Sequence, residues 1–281
     1  MTVENIMCGI QKLELLDPNS LIAYDEAISA YRSMENIPFF MLDMPPKLAL
    51  FHSRTHEKDN FFKDFKEIEI PEPQHIKSFA RCNCKGQPIF YCSEDRITSY
   101  SELIRNWAEN ENTNDVVYVT ISKWRTVYPL CVMIVTSPKE IDRISYYDKQ
   151  QGPALDKFIS EQNDKETQQA MKIFYNYLFD RFRKPAKNDL KNYIITAAYC
   201  DLSFGNNQNI DAIYYPSVPY DGQGVNFAFH EDYDFKNKMI LEIVARDTFK
   251  ILNTTPLPTF RQSNFKQAIS LDTINRKIIW D

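Results

Sequence analysis

An arginine, a tyrosine and a glutamate share one short stretch of this chain, Arg81 to Glu102, RCNCKGQPIFYCSEDRITSYSE. A guanidinium pairs with two oxygens of a phosphate or carboxylate at once. A tyrosine ring is a stacking surface with a polar tip. An ionised glutamate can hydrogen-bond a sugar hydroxyl or face a developing positive charge. Each residue also has an ordinary structural use: a solvated turn arginine, a core tyrosine, an acid favoured at a helix N-terminus. What singles them out is the local structure that carries them. A polar turn at Arg81-Cys82-Asn83 passes through Gly86 and Pro88 into an apolar strand, Pro88 to Tyr91. A second turn follows, Ser93 to Arg96, and Thr98 is placed to cap a helix bearing Glu102 on its first turns. This turn, strand, turn and helix are predicted to set the three side chains at one rim.

A second segment, from Asp211 to Phe227, brings a β-branched and aromatic strand into Tyr215-Pro216-Ser217, then a glycine-containing turn with Gly222 and Gly224, then an apolar run starting near Val225. Ser217 alone reads as a turn serine, and it lacks the G-x-S-x-G surroundings of a hydrolase nucleophile. Arg54, ending the strand-like run KLALFHSR, is a further candidate phosphate contact. The glycines form neither a G-x-G-x-x-G nor a P-loop pattern. The four histidines, His52, His56, His75 and His230, show no H-E-x-x-H spacing, and the C-x-C of Cys82 and Cys84 is not a zinc knuckle. No metal site is expected.

The elements that must position these residues follow from periodicity. Residues 1–47 read as a helical extension, with Asp17 and Pro18 as cap and first residue, Leu21, Tyr24, Ile28 and Tyr31 on one face, and Met44-Pro45-Pro46 as a connector. Strands are expected over Asp115 to Ile121 and Val127 to Val135, with Pro129 at a bulge or edge. Residues 139–201 read as helical. The clearest helix spans Asp164 to Lys184 with Met171, Phe174, Tyr175, Leu178 and Phe182 as its apolar stripe, and a shorter one lies near Leu190 to Cys200. Met239 to Ala245 and Thr248 to Leu252 read as late strands, and 253–281 as a packed tail. The result is an α+β chain: an extension over 1–47, a main domain over 48–252 and the tail.

At 281 residues, with 43% hydrophobic and 25% charged residues, the chain can bury a sizeable core. Its net charge of −5 opposes general binding to nucleic acid or an anionic membrane. The N-terminus lacks a signal-peptide pattern and no apolar run is long enough to span a bilayer, so a cytoplasmic location is expected. The six cysteines are then expected to be reduced thiols.

In order and spacing, Arg81, Asn83, Gly86, Tyr91, Thr98 and Glu102, followed downstream by Tyr215, Pro216, Ser217, Gly224 and Asn226, resemble the RES domain family, named for its Arg, Glu and Ser. The resemblance covers about residues 48–252. Ser101 stands where the family often has alanine, and Cys82 where an aromatic is common. The resemblance implies a fold similar to ADP-ribosyltransferases, with a cleft for NAD+ as substrate and no tightly bound cofactor. It implies cleavage of the nicotinamide–ribose bond with transfer to inorganic phosphate, water or a protein acceptor, in a toxin-like role paired with a helix-turn-helix antitoxin. Arg81 would contact the pyrophosphate, Tyr91 would stack, Glu102 would face the cationic ribose, and Ser217 and Asn226 would orient a phosphate or the carboxamide. Protein ADP-ribosylation, and a non-catalytic nucleotide-binding module that has kept the cleft, stay open as alternatives.

Overall fold

Most strands here have an apolar side turned to a helical layer, so the helices and one long sheet must share a core. The computed structural model describes residues 1–58, 61–110, 116–184, 189–205, 209–219, 223–253 and 259–281. In chain order these form α1 (Val3–Glu14), α2 (Ala23–Arg32), β1 (Met41–Met44), β2 (Ala49–His56), β3 (Ile89–Ser93), α3 (Arg96–Asn110), β4 (Val116–Thr126) and β5 (Leu130–Ile134). They continue with α4 (Tyr146–Ser160), α5 (Lys165–Arg183), α6 (Leu190–Gly205), β6 (Ala212–Pro216), β7 (Val225–His230), α7 (Phe235–Lys238), β8 (Met239–Asn253), β9 (Thr259–Gln267), β10 (Ser270–Asp272) and β11 (Lys277–Ile279). Mixed helix and sheet in this order is the expected α+β class.

The nine-stranded sheet runs β1-β5-β6-β7-β3-β2-β4-β8-β9, and all its pairings are antiparallel except β5 with β6. One junction is unlike the rest. β2 and β3 share a single pair, Phe51 with Ser93, whereas β2 pairs with β4 from Ala49 to His56. Continuing the β2–β3 register would set Ser53 opposite Tyr91 and Thr55 opposite Ile89; the strands diverge instead. The sheet is thus two half-sheets joined at one rung, and it forks.

Two apolar clusters cover the sheet. The larger core packs α1, α2, α4, α5 and α6 with β5, β6, β7 and β3, and continues across the fork to Leu50 of β2, Trp124 of β4 and Leu241 and Val244 of β8. The smaller core sets Tyr100 and Ile104 of α3 against Val117, Val119, Ile121, Ala245 and Phe249 of β4 and β8. α3 follows directly from β3 and packs on β2, β3 and β7, which places it across the fork.

Several expectations shift. Within residues 1–47, read as a helical extension, Ile6, Leu13, Ala27, Ala30, Tyr31 and Met34 belong to the larger core, Tyr31 Oη donates to the Ile195 carbonyl, and Met41–Met44 is an edge strand on β5. Asp17 closes a short turn on Asn19 N rather than capping α2, and Leu21 is fully exposed. The two late strands are one strand, β8. Asp164 does cap α5, accepting from Thr167 N at 2.7 Å, and all five residues of the predicted stripe are buried. The 253–281 tail closes on the body through buried Ile278 and through Trp280 Nε1, which donates to the Phe62 carbonyl. Gly222, in the second predicted turn, lies outside the described residues. No helix among the described residues is long and apolar enough to cross a membrane.

Candidate active site at the fork of the sheet

Glu102 is fixed from below. It sits on α3, and its Oε1 accepts from Ser217 Oγ at 2.8 Å and from Asn226 Nδ2 at 2.6 Å. Asn226 is itself oriented, because its Oδ1 accepts from Ser93 Oγ at 2.7 Å. Ser93 and Asn226 are register partners across β3 and β7, so the sheet dictates that contact. Ser217 follows β6 directly, and its N–H bonds to the Gly224 carbonyl at 2.8 Å. The two predicted segments therefore meet through hydrogen bonds on one carboxylate. Ser217 and Asn226 are almost fully buried. Both side chains, expected to orient a phosphate or the carboxamide, donate to the Glu102 carboxylate.

The first turn of α3 sets how closely these parts approach. Thr98 was expected as the helix cap, but Asp95 holds that role: its Oδ1 accepts from Thr98 N at 2.9 Å and its Oδ2 from Thr98 Oγ1 at 2.5 Å. Thr98 is the third residue in, and it faces Gly224. A Cβ on Gly224 would lie 2.0 Å from Thr98 Oγ1. Only glycine lets the segment between Ser217 and Asn226 pass this close to α3.

A cleft of about 700 Å³ opens where β2 and β3 part. Arg54 of β2, Tyr91 of β3, Asn83 of the preceding turn and Leu103 of α3, the neighbour of Glu102, line it. His52 lies in the crotch, with Nδ1 2.6 Å from the Tyr91 carbonyl. That bond replaces a ladder bond the diverging strands cannot make. Nδ1–H donates, which leaves Nε2 as the acceptor, buried without a partner among the described residues. Burial, then the positive charge of Arg54, pushes the His52 pKa down to about 3, so the ring is neutral. Arg54 donates to the Glu67 carbonyl and stands over the Phe62 ring at 6.0 Å.

Tyr91 and Asn83 are brought together as a locked pair. The Tyr91 hydroxyl donates to Asn83 Oδ1 at 2.8 Å and accepts from Cys82 N at 2.8 Å. Asn83 Nδ2 in turn closes its own loop on the Cys84 carbonyl at 2.9 Å. Gly86, at a φ of 81°, makes the left-handed step that returns the chain to β3. The hydroxyl is thereby committed to the loop, burial pushes its pKa up, and what Tyr91 can offer a ligand is its ring.

Arg81 lies near enough to favour ionised Tyr91 and Tyr215, but it does not line the cleft. Its guanidinium donates to the carbonyls of Arg181 at 3.2 Å and Lys184 at 3.3 Å and lies over the Tyr193 ring. It serves the C-terminus of α5, where orphan carbonyls and the negative end of the helix dipole favour a cation. Among the expected cations, only Arg54 lines the cleft.

Three contributors were not singled out from sequence: His52, Ser93 and Asp95. The i, i+2 spacing of His52 and Arg54 on one strand was the signal for the first, and the acid three residues before Thr98 was the signal for the last. No metal-holding group of histidine, cysteine and carboxylate side chains occurs among the described residues. The fork brings together an arginine, a neutral imidazole and an aromatic face, and the buttressed Glu102 carboxylate adjoins it as the chain neighbour of Leu103. Compared with known proteins, the chain matches no family model and no curated protein.

Proposed function

We propose that the fork is the active site of an enzyme that consumes NAD+ by breaking the nicotinamide–ribose bond. The observation that carries this reading is the Glu102 carboxylate of α3, held by Ser217 and Asn226 beside Leu103, which lines the cleft together with Arg54 and Tyr91. Nicotinamide leaves with the bonding electron pair, and the ribose carbon it leaves becomes cationic. A carboxylate fixed by two neutral donors faces such a cation with little reorganisation. Arg54 pairs with the pyrophosphate in the role first assigned to Arg81, and the Tyr91 ring stacks on the leaving base or the ribose. Phosphate or water then attacks the cation and gives up its proton, completing phosphorolysis or hydrolysis.

Nicotinamide release from NAD+ tests this, measured with and without inorganic phosphate beside Glu102→Gln. Release that Glu102→Gln abolishes supports the reading, and its phosphate dependence separates phosphorylase from glycohydrolase. NAD+ binding without release removes both, and labelled NAD+ then distinguishes transfer of ADP-ribose to a protein from a binding module without turnover. The toxin-like role and the helix-turn-helix partner rest on the resemblance alone.

A further inference from the structure

A second pocket, of about 390 Å³, lies on the other half-sheet, over β8 and the edge strand β9. In a chain of net charge −5 it collects Lys58, Arg246 and Lys266. The sheet imposes this grouping, since Arg246 and Lys266 are register partners. Arg246 is held by its faces rather than by an acid: its guanidinium lies over Phe61 at 4.2 Å and Trp280 at 5.7 Å, and it makes no ion pair among the described residues. Its donors are thereby left to a ligand. Lys266 pairs with the exposed Asp281, a contact weak enough for a ligand to displace.

The rim has the marks of a shaped site. Between Lys266 and Ser263 the register of β9 slips against β8, and Asn264 takes a left-handed backbone with φ 55°. Such a bulge re-aims side chains. Asn264 and the half-exposed Phe265 both line the pocket. His56 lines it too; its Nδ1 is spent on the Glu57 carbonyl, and its Nε2 is buried without a partner among the described residues. The one acid in the lining, Asp247, is occupied by Tyr100 Oη, Gln262 Nε2 and Thr248 N, and burial raises its pKa, which blunts its repulsion of an anion.

From three cations and an exposed ring around one small pocket, we propose that this pocket binds the phosphate group of a small phosphate ligand, at a site separate from the fork. Two sources share that chemistry, free phosphate and a phosphate monoester carrying a ring for Phe265. Calorimetric titration with inorganic phosphate, ribose 5-phosphate and adenosine monophosphate tests it on the full chain and on Lys58→Glu, Lys266→Glu, Phe265→Ala and Glu102→Gln. Expected is one site, with affinity at least tenfold weaker in either lysine variant and unchanged in Glu102→Gln. Equal affinities for all three probes assign free phosphate. Tighter binding of adenosine monophosphate that Phe265→Ala removes assigns a nucleotide. No binding of any probe at millimolar concentration overturns the proposal, as does binding indifferent to both lysine variants or lost in Glu102→Gln. Lys58 is exposed, so its variant decides the matter should Lys266→Glu not fold.

Discussion

Glu102 is held at Oε1 by two neutral donors, a hydroxyl and an amide. These two donors fix the direction of that oxygen. Glu102→Gln is expected to lower nicotinamide release at least a hundredfold while NAD+ binding, read by calorimetry, survives. Ser217→Ala removes one donor and a buried hydrogen bond. A loss of about 1–2 kcal/mol in urea-derived stability and about tenfold in turnover, with little change in KM, is expected. Asn226→Ala should do more, because it also strands the Ser93 hydroxyl. At this scale the sequence was informative where residues meet through the sheet and silent where they meet through a helix end. Glu102, Ser217 and Asn226 converge as their types suggested, and Tyr91 and Asn83 pair. Arg81 goes elsewhere because the carbonyls it serves belong to the end of α5, about a hundred residues on, and nothing local to Arg81 points to them.

Between elements, fit is set at two close contacts. Gly224 passes α3 at the Thr98 side chain. Gly224→Ala is expected to cost about 1–3 kcal/mol through overpacking and to lower turnover more than Ser217→Ala, because it moves the carboxylate and its two donors apart. The second contact is His52 in the crotch of the fork. Its pKa is about 3 in the folded protein and 6.5 in the unfolded chain. The unfolded state alone takes up that proton between these values, so this contribution to stability is complete above pH 6.5 and is lost as the pH falls. Urea midpoints measured between about pH 6.5 and about pH 5 should fall with a slope approaching 1.4 kcal/mol per pH unit from this one group, and His52→Gln should flatten it. Most elements were legible from periodicity, α5 and its Asp164 cap most fully. The edge strand β1 was not, because four residues with prolines near both ends carry little alternation and are ordered by pairing with β5.

Across the whole molecule, the N-terminal helices share one core with α5, α6 and the β5–β7 half-sheet. Removing residues 1–34 would strip Ile6, Leu13, Ala27, Tyr31 and Met34 from that core. At about 1.5–3 kcal/mol for each of the four large apolar side chains, the loss is about 6–12 kcal/mol, comparable to the whole net stability of an ordinary domain. The truncated chain is expected to be unfolded by circular dichroism, and Ile6→Ala in the full chain to cost about 2–5 kcal/mol in the same transition that reports on α5. A folded, active truncation would show that residues 1–34 are dispensable to the core. Sequence periodicity found the helices of this segment but not their attachment, since amphipathic spacing reveals that a face is buried and not what buries it.

The single rung between Phe51 and Ser93 also makes the cleft adaptable. With one ladder pair between β2 and β3, their separation is set by side chains rather than by backbone bonds. Cleft width is then a property of a few side chains at the crotch, His52 and Phe90 foremost, whose rings lie 4.6 Å apart. Substitutions at His52 would alter the ligand the cleft admits, whereas Phe90 is held by the larger core, which crosses the fork. In a living molecule the same seam is where slow breathing should concentrate: the Ser93 amide is expected to exchange its hydrogen with solvent sooner than those of Phe227 and Ala228 one strand away, and a bound ligand spanning β2 and β3 to bring them level.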